Sequence, residues 1–119
     1  MILVTGASGL VGLHLVRALS AAGERVRALY HTRIPDLLEG SVSEQIEWVC
    51  CEMLDFTTLD ACFQGVQRVY HCAAVVSYDP RDRDWLMQVN VEGTAQLVNL
   101  CLHHAIEKML YVSSIATLG

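Results

Sequence analysis

A doubly wound α/β sheet of parallel strands is the fold class that this sequence predicts, and three observations point to it. Short apolar runs of strand length alternate with helical stretches along the chain. The runs are near-continuously apolar, as in strands covered on both faces. Between the first run and the first helix stands a glycine-rich turn, TGASGLVG, Thr5 to Gly12. With right-handed crossovers, the expected strand order is 3-2-1-4-5, with the switch point between the first and fourth strands.

The first strand is Ile2-Leu3-Val4 with Met1. In the stretch that follows the turn, Leu10, Val11, Leu13, Leu15, Val16 and Leu19 fit a helix, stopped at Ala22-Gly23. Arg25 to Tyr30 is the second strand. His31 to Ser43, with Pro35 and Gly40, is a loop with room for a short helical turn. Ile46 to Glu52 is the third strand. Phe56 to Gly65 is a short helix capped by Asp55, whose carboxylate can accept from a free helix N–H. Val66 to Ala74 is the fourth strand and its small-residue exit, and Val75 to Asp82 is a loop. A long helix runs from about Arg83 to His104, and Lys108 to Ser114 is the fifth strand.

The chain has 119 residues, 53% hydrophobic and 18% charged, enough for one globular domain. Net charge is −5 with no basic run, which argues against sequence-independent nucleic-acid binding. No apolar stretch approaches the ~20 residues of a membrane span, and no signal peptide is expected. Five cysteines (Cys50, Cys51, Cys62, Cys72, Cys101) show no C-x-x-C spacing. They read as reduced, mostly buried thiols of a cytoplasmic protein. Neither they nor His31 and His103-His104 have metal-ligand spacing, so no metal is assigned.

The glycine turn carries the chemistry. Gly6 is placed for a positive φ, and Gly9 lacks the Cβ that would hold a pyrophosphate off the backbone. Gly12 allows the helix to pack closely on the sheet. The helix start, with Leu10 and Val11, offers free N–H groups and a positive dipole end to an anion. The spacing is G-x-x-G-x-x-G rather than G-x-G-x-x-G. A tight strand–helix turn without a ligand is the plainer alternative.

Three further segments stand in order behind the turn: His71-Cys72-Ala73-Ala74, Asn90-Val91-Glu92-Gly93-Thr94, and Tyr111-Val112-Ser113-Ser114-Ile115-Ala116-Thr117-Leu118-Gly119. With TGxxGxxG they resemble the short-chain dehydrogenase/reductase superfamily and its extended branch of sugar-nucleotide epimerases, dehydratases and dihydroflavonol-reductase-like enzymes. VRALYHTR and YVSSIATLG sit nearer the dihydroflavonol- or hydroxysteroid-type reductases. The resemblance covers essentially the whole chain and implies a Rossmann-type NAD(P)-binding fold.

By that resemblance Ser114 is the catalytic serine, holding and polarising a substrate carbonyl or hydroxyl, and Ser113 touches the cofactor. Cys72, Ala73 and Ala74 pass beneath the ribose and phosphates, and Asn90 lies near the nicotinamide-side ribose. Glu52 accepts from the adenine amino group and Met53 flanks the ring; alternatively Glu52 is only the strand's polar exit. A thiolate nucleophile at Cys72 is not expected. At the end of the second strand an acid would select NAD by binding the ribose hydroxyls. Tyr30 and His31 stand there instead, and Arg33 follows, with Arg27 further back on the strand. NADP(H) is the expected preference, with NAD the alternative should Arg33 be a solvated charge.

The family's Y-x-x-x-K pair is missing: none of Tyr30, Tyr70, Tyr78 or Tyr111 has a lysine four residues on, and the sole lysine is Lys108. The chain is therefore expected to be the N-terminal part, residues 1–119, of a dinucleotide-binding domain whose substrate lobe is absent. It would be catalytically incomplete alone. The complete enzyme would transfer hydride between NAD(P) and a small-molecule carbonyl or secondary alcohol. A non-catalytic dinucleotide-sensing module is the competing reading, and a truncated product without function a third. The long helix carries two apolar stripes: Leu86, Val89, Gly93, Leu97, Leu100, and Met87, Val91, Ala95, Val98, Leu102. One covers the sheet. The second is expected to meet a partner helix in a homodimer, or a neighbouring helix of the same chain.

Overall fold

Residues 1–31, 45–72, 81 and 83–111 are described in the computed structural model, without the side chains of Leu86 and Val89. Strands β1 (Ile2–Thr5), β2 (Val26–Tyr30), β3 (Ile46–Cys50), β4 (Arg68–His71) and β5 (Lys108–Tyr111) form one sheet. Its order is β3-β2-β1-β4-β5, with every neighbouring pair parallel. This is the order that the alternation of elements predicts. The switch point lies where β1 meets β4, with Thr5 opposite His71. On the far side of β4, His71 stands opposite Tyr111.

Alternate residues of a strand point to opposite faces, and each face has its own apolar layer. Ile2, Val4, Val26 and Ala28 pack with Val16 of helix α1 (Leu10–Ala21). Leu3, Leu29 and Val69 pack with Leu59 of α2 (Phe56–Ala61) and with Leu97 and Leu100 of α4 (Gly93–His103). Thr5 and His71 belong to this second face by the same alternation. They are the buried polar residues of the described core.

Several elements differ from their sequence-based bounds. The third strand ends at Cys50, although the Cys51 amide still donates to Tyr30 O at 2.9 Å. Glu52 to Leu54 then turn away, with Leu54 N–H on Glu52 Oε1 at 3.4 Å. Helix α2 stops at Ala61, short of Gly65. Asp55 caps it as expected, accepting from Thr58 N at 3.3 Å and Thr58 Oγ1 at 2.8 Å. The Thr58 hydroxyl, followed by its amide, holds the Asp55 carboxyl below the usual range.

The long helix is not continuous α-helix. It consists of α3 (Arg83–Met87), a π-helical turn Gln88–Glu92, and α4. A π-turn shifts the helix face by inserting a residue into the i→i−4 ladder. Beyond it Gly93, Leu97 and Leu100 are buried, while Met87, Val91, Val98 and Leu102 are exposed. The two stripes are thus real. Leu86 and Val89 of the first lie outside the described side chains, and no described element covers the second. No described helix is long and apolar enough to cross a membrane. The five cysteines are free thiols, with Cys51, Cys62 and Cys101 buried, Cys72 half-buried and Cys50 exposed. Among the described residues no three His, Cys, Asp or Glu side chains gather as a metal site would require.

Candidate functional site

The carboxyl ends of β1, β2, β3 and β4 converge on the glycine turn. Gly6 has φ of 63°, the left-handed conformation expected of it. Gly12 is buried. A Cβ there would lie 2.1 Å from Gly6 O and 2.9 Å from Ala7 Cα. The helix thus closes on the backbone of the turn that leaves β1. At Gly9 a Cβ would meet only Gly6 O, at 3.4 Å. That glycine is exposed, so its bare backbone faces outward.

Gly9 is also the N-cap of α1 and makes no side-chain capping bond. The first i→i−4 bond runs from Leu13 N–H to Gly9 O at 2.9 Å. The amides of Leu10, Val11 and Gly12 precede it, and such N-terminal amides with the helix dipole form an anion seat. Leu10 and Val11 are 77% and 53% exposed. They leave the apolar stripe of α1 to Leu13 and Val16 and stand exposed beside the turn.

At the β2–β3 end, His31 Nε2 meets Glu52 Oε2 at 2.7 Å. Both are well exposed, so the pair contributes little to stability; its effect is to fix the Glu52 carboxylate. The Cys50 thiol donates to His31 O at 3.5 Å. Tyr30 packs edge-on against Trp48 with ring centroids 6.4 Å apart. Met53 is buried in the α2–α4 layer, and its carbonyl accepts from Gln96 Nε2 at 3.2 Å. Arg27 is not at this end at all. It donates to Glu47 at 3.3 Å, to Cys62 O at 2.6 Å and to Gln64 O at 2.8 Å, clamping the chain after α2.

At the switch point the Cys72 amide donates to Thr5 Oγ1 at 3.0 Å. Thr5 Oγ1 lies 2.7 Å from His71 Nδ1, and His71 Nε2 lies 2.8 Å from Thr94 Oγ1. The His71 ring also packs against Tyr111, centroids 5.3 Å apart. Burial pushes the His71 imidazole down from 6.5 to about 4 and pushes the Cys72 thiol up. A thiol so shifted is a poor nucleophile at neutral pH. Asn90 sits half-buried in the π-helical turn next to Thr94.

The site therefore brings together Gly6, Gly9, Leu10, Val11 and Gly12 on one side and Cys72 on the other, with His31 and Glu52 at the flank. Arg33, Ala73, Ala74, Ser113 and Ser114 lie outside the described residues. Sequence reasoning used Thr5, His71 and Thr94 only as letters of motifs and missed their partnership. The available signal was a polar residue closing each of two strands, Thr5 after Ile2-Leu3-Val4 and His71 after Val69-Tyr70.

Comparison with known proteins agrees with this geometry. Residues 3–119 match the 3-beta hydroxysteroid dehydrogenase/isomerase family. Sterol demethylase protein B of Methylococcus capsulatus is 38% identical over 119 residues, 98% of this chain and 35% of that protein. Cinnamoyl-CoA reductase 1 of Oryza sativa subsp. japonica is 31% identical, over 96% of this chain and 34% of its own length. A short-chain dehydrogenase/reductase superfamily protein of Agrobacterium tumefaciens, solved with NAD bound, superposes with a TM-score of 0.80 at 35% identity. That match covers 96% of this chain and 32% of the solved one. The chain thus spans about a third of the length of these relatives. Fold, motifs and relatives agree: the chain belongs to the 3-beta hydroxysteroid dehydrogenase/isomerase family, within the extended short-chain dehydrogenase/reductase superfamily.

Proposed function

We propose that this chain is the N-terminal, NAD(P)-binding part of an oxidoreductase that interconverts a carbonyl and a secondary alcohol on a small-molecule substrate. The observation that carries the proposal is the open, uncapped start of α1 above Gly9 at the β1–β4 switch point. Its residues fit a dinucleotide. Gly9 leaves space where a side chain would stand, and the amides of Leu10, Val11 and Gly12 suit a pyrophosphate. Glu52, held by His31, is an acceptor for the adenine amino group, and Asn90 belongs to the nicotinamide side. The nicotinamide supplies the hydride acceptor or donor.

Ser114 is the residue we assign to the substrate oxygen. Its hydroxyl would donate to the carbonyl and orient it. The general acid/base and the substrate lobe belong to the part of the protein beyond this chain, so the chain alone is expected to show no turnover. NADP(H) is the proposed preference, because β2 ends in Tyr30 and His31 without an acid and Arg33 follows. The exposed stripe of Met87, Val91, Ala95, Val98 and Leu102 is proposed as the homodimer face. Free thiols suit a cytoplasmic setting.

The test is calorimetric titration with NADPH and NADH, followed by carbonyl reduction in the full-length protein with and without Ser114→Ala. Binding with loss of turnover in Ser114→Ala supports the enzyme. Binding with no reductase activity in the unsubstituted protein would leave a dinucleotide-sensing module.

A further inference from the structure

We infer that His71 is a positioning residue, joining the glycine turn to the start of α4 beyond the Asn90 turn through a hydrogen-bond chain of one direction, with its ring packed on the strand that leads to the serines. The chain begins at a group whose role is not in doubt: the Cys72 amide can only donate. It shares its proton between Thr5 Oγ1, at 3.0 Å, and the more distant Thr5 O, at 3.3 Å. Thr5 is fully buried, and a buried hydroxyl needs an acceptor for its own proton. Among the described residues the acceptor is His71 Nδ1, at 2.7 Å. Nδ1 is therefore the bare nitrogen of a neutral ring, and the proton resides on Nε2. That Nε2–H donates to Thr94 Oγ1 at 2.8 Å.

The result spans the fold. Thr5 is the residue before Gly6, Thr94 lies two residues past the π-helical turn that holds Asn90, and Tyr111 packs on the ring from β5. A π-turn is a departure from regular helix, frequent at functional sites. The His71–Thr94 bond ties the first turn of α4, just past it, to the end of β4. A ring with a settled tautomer holds both partners at once, which no aliphatic side chain at that position would do.

For its ligand this inference rests on the dinucleotide reading above; the bond chain itself does not. Nitrogen-15 spectroscopy of the imidazole at neutral pH reads the chain directly, and the expected tautomer carries its proton on Nε2. A proton on Nδ1 would overturn it. Its effect on binding is read by titrating the protein with ADP and with NADH. An Asn amide at position 71 matches Nδ1 and keeps only the Thr5 bond, whereas a Gln amide reaches the place of Nε2 and keeps the Thr94 bond. His71→Asn and Thr94→Val are each expected to weaken NADH about tenfold, the worth of one neutral hydrogen bond, with ADP unchanged. Thr94→Ser keeps the hydroxyl and is expected to bind both ligands as the unsubstituted protein does, whereas His71→Gln, which gives up the Thr5 bond beside the glycine turn, is expected to weaken ADP and NADH alike. Equal losses of ADP and NADH in His71→Asn, or unaltered NADH binding in Thr94→Val, would overturn the positioning role. Thr94→Val removes a hydroxyl without volume and decides the matter where His71→Asn does not fold. Unsubstituted protein that binds none of ADP, NADH and NADPH would overturn the dinucleotide reading instead.

Discussion

Gly12 sits so close to Gly6 that a Cβ on the one would lie 2.1 Å from the carbonyl oxygen of the other. Nothing flexible separates them, since the atom met is backbone. Gly12→Ala is therefore expected to push α1 off the turn and destabilise the protein by about 3 kcal/mol, the upper range for overpacking. Gly9→Ala is the contrast. Its Cβ meets Gly6 O at 3.4 Å and its φ of −77° suits alanine. Stability should hold to within about 0.5 kcal/mol while NAD(P)H affinity falls about tenfold or more. Denaturant unfolding and calorimetry on the two variants separate folding from binding. A Gly9→Ala protein that binds normally would remove Gly9 from the ligand.

Gly93 tells the opposite story. It is buried in the chain beyond the π-turn, yet its φ of −61° and ψ of −43° are helical, and a Cβ would meet Met53 Cβ at an ordinary 3.5 Å. The helix does approach Met53 closely, but not so closely that glycine is required. Gly93→Ala is expected to stabilise the protein by up to about 1 kcal/mol through helix propensity. Destabilisation in a urea titration would show that the π-turn itself depends on the glycine.

His71 makes stability depend on pH. Burial lowers its pKa from 6.5 to about 4 in the folded protein. The groups packed round the ring are the Thr5 and Thr94 hydroxyls, Cys72 and Tyr111; no carboxylate pairs with it among the described residues. Between those two values the unfolded chain binds a proton that the folded one does not, so stability rises with pH across that window. The contribution is complete above about pH 7 and is lost as the pH falls toward 4, on the order of 3 kcal/mol in all. Thermal melts of the protein and His71→Gln over this range should diverge, the glutamine variant showing the flatter profile. Parallel profiles would mean that the imidazole titrates alike in both states.

How far the sequence was legible follows from what each feature depends on. Strand order was readable because apolar runs, the Gly6 turn and right-handed crossovers are local or topological properties. Asp55 was readable as a cap because a cap is chosen by residues three apart. The Thr5–His71–Thr94 chain was not, because it joins side chains 66 and 23 residues apart that meet only once register is set. The π-turn was hidden for a related reason: Gln88 to Glu92 keep a helical pattern of residues, and only the backbone ladder shows the insertion. The role of Arg27 was not legible either, since alternation puts it on β2 but cannot say that the carbonyls of Cys62 and Gln64 await it.

Those carbonyls set Arg27 apart from Arg33, the cation expected at the adenosine end. Arg27 is largely covered, with 14% of its side chain exposed, and its donors are engaged by Glu47, Cys62 O and Gln64 O. Arg27→Met preserves most of its packing but strands the two carbonyls, which should destabilise the protein by about 2 kcal/mol. With Nε and Nη1 committed to Glu47 and to the chain after α2, this guanidinium is held away from the expected cofactor, so the ratio of NADPH to NADH affinity should not move. Arg33→Met is expected to do the reverse, leaving stability alone and lowering that ratio about tenfold or more through the lost charge-assisted bonds. Affinities for both cofactors, measured on both variants at one salt concentration, test the pair together. A ratio that falls in Arg27→Met would return this arginine to the cofactor, and one unmoved in Arg33→Met would make NAD the better assignment.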